Sequence, residues 1–266
     1  MRPHTRPALG MEAAELDRYW RPRDLRAALD IRAGEGARPL AGGTDIYPAR
    51  AHHAAWEGSV AESLLDLSAI AELRTLERDG RHWRLGAGVT WAALRDAALP
   101  PGFRALQQAA RQVGGRQVQA RGTIGGNLCN ASPAADGVPP LLLLAAEAVL
   151  LSPVGERRLP LDRFILGNRR TVLRDDEILA ALLIPAERAE VPSAFVKLGA
   201  RRHLVISIAM AAADAEGRAT IGACSEVAHH WNGEVSPISD IRGSAEYRRE
   251  AAAEVVSRAL TLASAA

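Results

Sequence analysis

Two segments of the sequence combine adjacent glycines with a hydroxyl and a polar side chain, a combination suited to holding a phosphate. Residues 40–45 read Leu-Ala-Gly-Gly-Thr-Asp, and residues 122–127 read Gly-Thr-Ile-Gly-Gly-Asn. Adjacent glycines let backbone N–H groups approach an anion with no Cβ in the way, and successive N–H groups form an anion-binding concavity. Diphosphate needs several such donors, because leaving its charge unpaired in a buried site is costly. Together the segments, each with a Thr and an Asp or Asn, indicate a phosphate-binding site, although either segment alone is more often an ordinary turn.

A third glycine-containing segment, residues 86–91, follows a predicted strand and precedes a predicted helix, as in the dinucleotide-binding fingerprint of Rossmann folds. Trp91 stands where that fingerprint requires a third glycine for close helix–strand packing. The sequence also has no second strand that ends in an acidic residue about 20 residues further on. These departures exclude a Rossmann site. A P-loop is excluded as well, because the sequence has no Gly-Lys-Ser or Gly-Lys-Thr.

The composition is that of an ordinary globular protein: 266 residues, of which 48% are hydrophobic and 24% are charged. This length allows one large domain or two modest ones. The formal net charge of +2 gives no indication of binding to nucleic acid or to an anionic membrane. The longest apolar stretch, residues 141–151, contains Glu147 and is too short to span a bilayer. No apolar core follows Arg2, His4 and Arg6, so we expect no signal peptide and a cytoplasmic location.

Cysteines are sparse in the sequence, and the histidines show no convincing metal-binding pattern. The two cysteines, Cys129 and Cys224, are too few for a disulfide scaffold or for an iron–sulfur cluster held by this chain alone. His229 and His230 are adjacent in a predicted loop, where neighbouring histidines are usually solvated. We therefore expect no metal ligand on this chain.

Apolar periodicity and turn residues predict helices and strands that mix without a regular βαβ repeat, which favours an α+β fold. Asp24 and Thr90 are predicted helix N-caps. Strands are predicted at residues 193–199, 204–213 and 219–224, as an antiparallel meander. A closing helix is predicted from Ala245 to Leu262.

At these motifs the sequence resembles the FAD-binding medium subunit of the molybdenum hydroxylases, the group that includes xanthine dehydrogenase and carbon monoxide dehydrogenase. The specific parts of the resemblance are the two glycine segments and residues 240–248, which read Asp-Ile-Arg-Gly-Ser-Ala-Glu-Tyr-Arg. Shorter matches occur at residues 85–90, 117–121, 131–136, 177–179 and 195–197. The resemblance implies an FAD-binding fold of the vanillyl-alcohol-oxidase type in two subdomains, followed by a small antiparallel sheet with a helix.

The resemblance also implies a domain organisation. Residues 1–15 would form a loose arm, residues 16–187 the FAD-binding domain, and residues 188–266 a C-terminal α+β domain. Relatives have a longer helical stretch where this chain has only residues 225–235, so the C-terminal domain is shortened relative to the family. This departure leaves open whether partners still assemble on it.

The implied cofactor contacts involve several kinds of side chain. The two glycine segments would hold the diphosphate, Val113 would lie against the adenine, and Asp136 would hold a polar part of the cofactor. Leu179 would pack on an apolar face, and Lys197 would lie near the cofactor. The full set of implied FAD-binding residues is Pro39, Leu40, Ala41, Gly42, Gly43, Thr44, Asp45, Ile46, Val113, Thr123, Ile124, Gly125, Gly126, Asn127, Asp136, Leu179 and Lys197. The resemblance implies no catalytic residue on this chain.

Lys197 is the sole lysine of the sequence; every other basic residue, apart from the histidines, is an arginine. A lysine retained at a position that matches a cofactor contact suggests a need for a compact ammonium group. Near a flavin, such a group could stabilise the negative charge that develops on reduction. The alternative is a lysine that occurs by chance on a strand.

The resemblance implies that this chain carries FAD and transfers electrons rather than hydroxylating a substrate. Molybdopterin is expected on a large partner subunit and two [2Fe–2S] clusters on a small one, and a dimer of such heterotrimers is one arrangement open to the complex. The electron acceptor would be NAD, a quinone or oxygen, and the sequence indicates neither the acceptor nor the substrate. A stand-alone flavoprotein oxidoreductase of the same fold and a non-catalytic remnant remain alternatives.

Overall fold

The computed structural model describes residues 18–56, 62–201 and 204–266, and in these residues helices and strands are mixed as predicted for an α+β protein. The helices are α1 (Leu25–Glu35), α2 (Ile46–Trp56), α3 (Trp91–Asp96), α4 (Arg104–Gln112), α5 (Arg116–Arg121), α6 (Ile124–Asn130), α7 (Val138–Leu143), α8 (Ala186–Ala189) and α9 (Ala245–Ser264). The strands are β1 (Tyr19–Trp20), β2 (Arg38–Leu40), β3 (Leu64–Asp66), β4 (Leu76–Asp79), β5 (His82–Gly86), β6 (Glu147–Ser152), β7 (Gly155–Pro160), β8 (Ile165–Gly167), β9 (Arg170–Thr171), β10 (Ile178–Pro185), β11 (Ser193–Leu198), β12 (Ala209–Asp214), β13 (Ala219–Gly222) and β14 (His229–His230). The loose arm predicted for residues 1–15 lies outside the described residues.

A small parallel sheet, in the order β1-β3-β2, begins the described chain. Helix α1 connects β1 to β2; its first turn is capped by Asp24, whose side chain accepts a hydrogen bond from the N–H of Ala27. The helix ends at Gly36, which has a φ of +61°, a left-handed conformation that glycine adopts without a steric penalty. The carboxyl ends of β2 and β3 lie side by side, so the first glycine segment emerges next to Leu67 and Ser68.

An antiparallel sheet in the order β4-β5-β10-β6-β7 forms the centre of the molecule. Its middle strand, β10, is buried almost throughout, as expected for an apolar strand covered on both faces. The pairing of β10 with β6 shifts between Leu179 and Ala181, and the carbonyl of Ala180 accepts the N–H of Ala87. Helices α3, α4, α6 and α7 supply much of the main apolar core, which includes the fully buried side chains of Trp91 and Phe103.

The C-terminal part of the chain forms an antiparallel sheet in the order β11-β12-β13-β14, with α9 packed along it. The contact is lined by small side chains, among them Ala211 and Ala213 on the sheet and Ala252 and Ala259 on the helix. Small residues let a helix approach a sheet closely, and this segment buries a second apolar core with little volume per side chain.

Two details of the structure differ from the sequence predictions. The strand predicted over residues 204–213 begins only at Ala209. Leu204, where it was predicted to begin, has a φ of +54°, which an extended strand does not allow. The second glycine segment is not a loop: Thr123 is the N-cap of α6, and Gly125 and Gly126 lie in the first turn of that helix.

Candidate functional site

A cavity of about 450 Å³ lies where the parallel sheet meets helices α5 and α6 and the start of β10. It brings together most of the residues that the sequence predicted for the cofactor. Those in its lining are Pro39, Ala41, Gly42, Gly43, Thr44, Asp45, Ile46, Val113, Thr123, Gly125, Gly126, Asn127 and Leu179. Leu40 and Ile124, one from each glycine segment, are not in this lining; they are buried, only 2% and 1% exposed.

The first glycine segment offers the cavity a row of backbone donors. Among the described residues, no protein acceptor takes the backbone N–H groups of residues 42–46. The segment leads directly into α2, so the positive end of that helix dipole faces the same region. Gly43 has a φ of +72°, which permits the sharp turn between the strand and the helix. Free N–H groups at a helix start are the arrangement that binds phosphate.

The two glycine segments touch each other, and Gly42 makes the contact possible. A Cβ added to Gly42 would lie 2.0 Å from the carbonyl oxygen of Arg121, which directly precedes the second segment. In the same way, a Cβ on Gly125 would lie 2.6 Å from the Cβ of Ala87. These glycines are therefore required for packing between protein segments as well as for access by a ligand.

The second glycine segment uses its own N–H groups internally. The N–H groups of Ile124 and Gly125 donate to the carbonyls of Val89 and Ala87, at 3.0 and 2.8 Å. The N–H of Gly126 donates to the side chain of Thr123 at 3.0 Å. The expectation that Gly125 and Gly126 leave free N–H groups for an anion is thus wrong. The physical reason is that they belong to a capped helix start that also bridges to the turn after β5.

Asn127 lines the cavity, and its side chain carries an acceptor without a partner. Its Oδ1 atom is buried and has no hydrogen-bond partner among the described residues. A buried amide oxygen without a donor is costly. A bound ligand with a hydroxyl or N–H group would supply that donor.

Polar side chains tie the first glycine segment to α6 at the rim. The Nδ2 atom of Asn130 donates to Oδ1 of Asp45 at 2.9 Å, and Arg169 donates to Oδ1 of Asn130. Arg169 itself has a φ of +60° and donates its N–H to the carbonyl of Ala131 at 2.9 Å. Asp45 therefore acts here as a link between segments.

Asp136 and Lys197 are not among the described residues that line this cavity, and they form a buried ion pair with each other. The Nζ atom of Lys197 is 2.6 Å from Oδ2 of Asp136, and Ser207 donates to Oδ1 of the same carboxylate at 2.5 Å. Burial raises the pKa of Asp136, against the lowering effect of Lys197 and Ser207. Asp136 does not cap α7, whose N-cap is Gly137. Lys197 lines a second cavity of about 450 Å³ together with Arg111, Gln112, Gly114, Leu198, Gly199, Arg201, Leu204 and Val205.

Sequence reasoning missed several residues of the main cavity. Glu177 is one; Arg157 holds both of its carboxylate oxygens, at 2.5 and 2.7 Å. Burial would raise the pKa of Glu177, but the hydrogen bonds from Arg157 and from the N–H of Arg174 lower it. The other missed residues in the lining are Arg32, Arg38, Leu67, Ser68, Leu73, Arg74, Ala87, Gly88, Thr90, Trp91, Val118, Ala120, Arg121, Gly122, Cys129, Asn130, Leu173 and Ile178. About half of them lie within the stretches 85–90, 117–122 and 177–179, which resemble the family but were not assigned as cofactor contacts. The others lie outside those stretches, and no local motif marks them.

The described part of the chain has the features of neither a metal site nor a membrane span. It contains no group of three or more His, Cys, Asp or Glu side chains placed to hold a metal ion. None of its helices combines the length and the apolar character that a membrane crossing requires.

Comparison with known proteins gives the same assignment for both parts of the chain. Residues 12–187 match the family described as the FAD binding domain in molybdopterin dehydrogenase, and residues 178–263 match the CO dehydrogenase flavoprotein C-terminal domain. The chain is 34% identical over 194 residues to the xanthine dehydrogenase FAD-binding subunit of Escherichia coli O157:H7. That match covers 71% of this chain and 65% of the relative, so the chain spans slightly less than two thirds of its length.

A second relative and a solved structure match over nearly the whole chain. The carbon monoxide dehydrogenase medium chain of Hydrogenophaga pseudoflava is 29% identical over 285 residues, covering 92% of this chain and 96% of the relative. A solved structure of carbon monoxide dehydrogenase from the same organism superposes with a TM-score of 0.83 at 26% identity, covering 94% of this chain and 98% of that one. These likenesses confirm the predicted α+β FAD-binding fold.

Proposed function

We propose that this chain, which belongs to the family of FAD-binding domains of molybdopterin dehydrogenases, is the FAD-carrying electron-transfer subunit of a molybdenum-containing hydroxylase or dehydrogenase. It would take electrons from [2Fe–2S] clusters on a partner subunit and pass them to an external acceptor. The relatives named as FAD-binding subunit and medium chain support this division of labour.

The observation that carries the cofactor assignment is the row of unused N–H groups in residues 42–46. A diphosphate is the part of FAD that needs such donors, because its charge must be neutralised where water is excluded. The unpartnered Oδ1 of Asn127 fits a hydroxyl of the sugar chain. Apolar groups from Val113, Leu179 and Ile46 complete the lining, as ring systems require.

When bound, FAD supplies the redox chemistry, and the protein contributes binding, orientation and electrostatics. In the proposed site, residues 42–46 bind the diphosphate, and Thr123 fixes the start of α6 so that Asn127 faces the cavity. Arg32, Arg38, Arg74 and Arg121 outnumber the acidic lining residues, which suits a dianionic ligand.

The partners belong to the proposal as well. We propose a large molybdopterin-binding subunit and a small [2Fe–2S] subunit, with a dimer of heterotrimers as the assembly. The division of this chain into a FAD-binding domain, residues 16–187, and a C-terminal domain, residues 188–266, is part of the same proposal, as is a cytoplasmic location.

Titration of the purified, cofactor-free chain with FAD tests the cofactor assignment. We expect tight, saturable binding of one FAD per chain. The binding is measured by the quenching of flavin fluorescence and by a shift of the visible absorption bands. A chain that binds no FAD under refolding and non-refolding conditions would contradict the proposal.

Mixing the loaded chain with a reduced two-cluster [2Fe–2S] partner protein tests electron transfer. Bleaching of the flavin absorbance only in the presence of the partner supports the subunit role. Substrate turnover by the chain alone would favour a stand-alone enzyme.

A further inference from the structure

We infer that Gln119 is a positioning residue: it lies outside the lining of the proposed FAD cavity and fixes the backbone of residues that form this lining. The inference rests on the proposed function, because it concerns the affinity of this cavity for FAD. Gln119 is buried, only 5% exposed, and does not itself line the cavity.

The side-chain amide of Gln119 is fully engaged by three partners. Its Nε2 atom donates to the carbonyl oxygens of Arg111 and Val113, at 3.2 and 3.1 Å. Its Oε1 atom accepts from a terminal guanidinium nitrogen of Arg95 at 2.7 Å. Because both amide hydrogens and the oxygen are used, the amide has one orientation only. Arg95 is in turn held by Asp96, which binds its Nε and its other terminal nitrogen at 2.7 and 2.6 Å.

These contacts lie at the end of a helix that forms part of the cavity. Helix α4 ends at Gln112, and its last carbonyl groups have no partner within the helix. Gln119 binds two carbonyls at this end, and one of them belongs to Val113, which is a lining residue of the cavity. The hydrogen bond from Gln119 therefore fixes the backbone of Val113, where the end of α4 meets the cavity.

Gln119 also lies on a second segment that contributes residues to the cavity lining. It belongs to α5, and its neighbours Val118 and Ala120 line the cavity. The turn between α4 and α5 is tight: Gly114 has a φ of +48°, and a Cβ there would lie 2.9 Å from the side chain of Val118. One buried amide thus connects the end of α4 to the helix that leads into the second glycine segment.

Gln107 provides a matched control. Its Nε2 atom caps the end of α3, donating to the carbonyls of Ala97, Leu94 and Arg95 at 2.8, 3.1 and 3.4 Å. The contact with Arg95 is to its backbone and leaves its guanidinium bound to Gln119. The chemistry is the same as at Gln119, a glutamine that caps the preceding helix. Neither Gln107 nor any of these three partners is among the described residues that line the cavity.

The experiment compares Gln119→Leu with Gln107→Leu in the full chain. Urea unfolding of the cofactor-free proteins should show a loss of stability in both. The dissociation constant for FAD, measured by fluorescence quenching, should rise about tenfold in Gln119→Leu and stay within about twofold in Gln107→Leu. Equal FAD affinities for the two variants would overturn the inference.

A double-mutant cycle with Val113→Ala separates positioning from general destabilisation. If Gln119 acts through the wall at Val113, the effect of Gln119→Leu on FAD affinity should shrink in the Val113→Ala background; full additivity would contradict this. Should Gln119→Leu not fold, Arg95→Met, which removes the group that orients the amide, should raise the dissociation constant about threefold, and no change would overturn the inference. A wild-type chain that binds no FAD would instead remove the proposed function itself, which distinguishes the two failures.

Discussion

The ammonium group of Lys197 on β11 lies 2.6 Å from the carboxylate of Asp136, which precedes α7. The two side chains are 5% and 8% exposed, and Lys197 also donates to the carbonyl of Gln112 at 3.3 Å. The sole lysine of the sequence therefore joins the C-terminal sheet to two segments of the preceding part of the chain. A compact ammonium fits this enclosed position, whereas a planar guanidinium has a different shape and different donor directions.

Lys197→Met is expected to destabilise the protein strongly. The substitution leaves the carboxylate of Asp136 buried without its counter-ion, and breaking a buried ion pair in this way typically costs about 3–5 kcal/mol. Urea unfolding at pH 7 measures the loss. The double variant Lys197→Met with Asp136→Asn should recover part of it, because the uncompensated charge is gone. A loss of the same size in the single and double variants would contradict this account.

Gly42→Ala is expected to weaken both folding and FAD binding. The new Cβ would lie 2.0 Å from the carbonyl oxygen of Arg121, so the two glycine segments must move apart. Overpacking of this kind typically costs about 1–3 kcal/mol. Gly34→Ala is the control: Gly34 lies within α1, and a Cβ there meets nothing within 4 Å. That variant should gain about 0.5–1 kcal/mol, measured as the change in urea midpoint, with unchanged FAD affinity.

Glu177 is expected to make the stability of the protein depend on acid pH. Although burial opposes it, Arg157 and the N–H of Arg174 lower the pKa of Glu177 below its ordinary value of 4.5. The unfolded chain therefore takes up the proton at a higher pH than the folded chain does. The stabilising contribution is complete above about pH 4.5 and is lost as the pH falls through the lower, folded pKa.

The comparison of wild type with Glu177→Gln isolates this contribution. The free energy of unfolding of the two proteins, followed from pH 7 to pH 3, should differ most near neutrality and converge in acid. Because Glu177 lines the cavity, FAD affinity should fall in parallel with stability. A difference that stays constant over this pH range would show that the pKa of Glu177 is not lowered.

The sequence predicted those features of the fold that depend on local residue patterns. The caps at Asp24 and Thr90 accept the hydrogen bonds expected of them, and α9 begins at Ala245 as predicted. The residue patterns by themselves indicated an α+β fold, and the FAD-binding fold was predictable only through the resemblance carried by the two glycine segments and residues 240–248. The cofactor assignments of individual residues, Lys197 among them, stay predictions until binding is measured.

What the sequence could not predict depends on contacts between distant residues. The pairing of Lys197 with Asp136 joins residues 61 positions apart, and Gly42 meets Arg121 across an even longer separation in the chain. The N–H groups of Gly125 and Ile124 donate to carbonyls of the turn at residues 87–89, which lies more than 30 positions earlier in the chain. Gln119 lies within a stretch that resembles relatives, yet its capping role shows only where α4 and α5 come together.

Tyr19 is expected to ionise at unusually high pH. Its hydroxyl donates to Oδ2 of Asp66 at 2.5 Å, and this hydrogen bond is the main cause that raises the pKa of Tyr19 to about 12 from 10.0. Asp66 in turn accepts the N–H of Ser68 at 2.8 Å, and Ser68 lines the cavity. Above pH 10 the unfolded chain loses the phenolic proton while the folded chain keeps it, so this contribution to stability is full below pH 10 and is lost as the pH rises through about 12.

The difference in absorbance at the tyrosinate band between wild type and Tyr19→Phe, followed against pH, should show one tyrosine titrating near pH 12. Asp66→Asn, which removes the carboxylate acceptor but keeps the size of the side chain, should bring that titration back towards pH 10. A wild-type difference curve that is already centred near pH 10 would contradict the role of the Asp66 hydrogen bond.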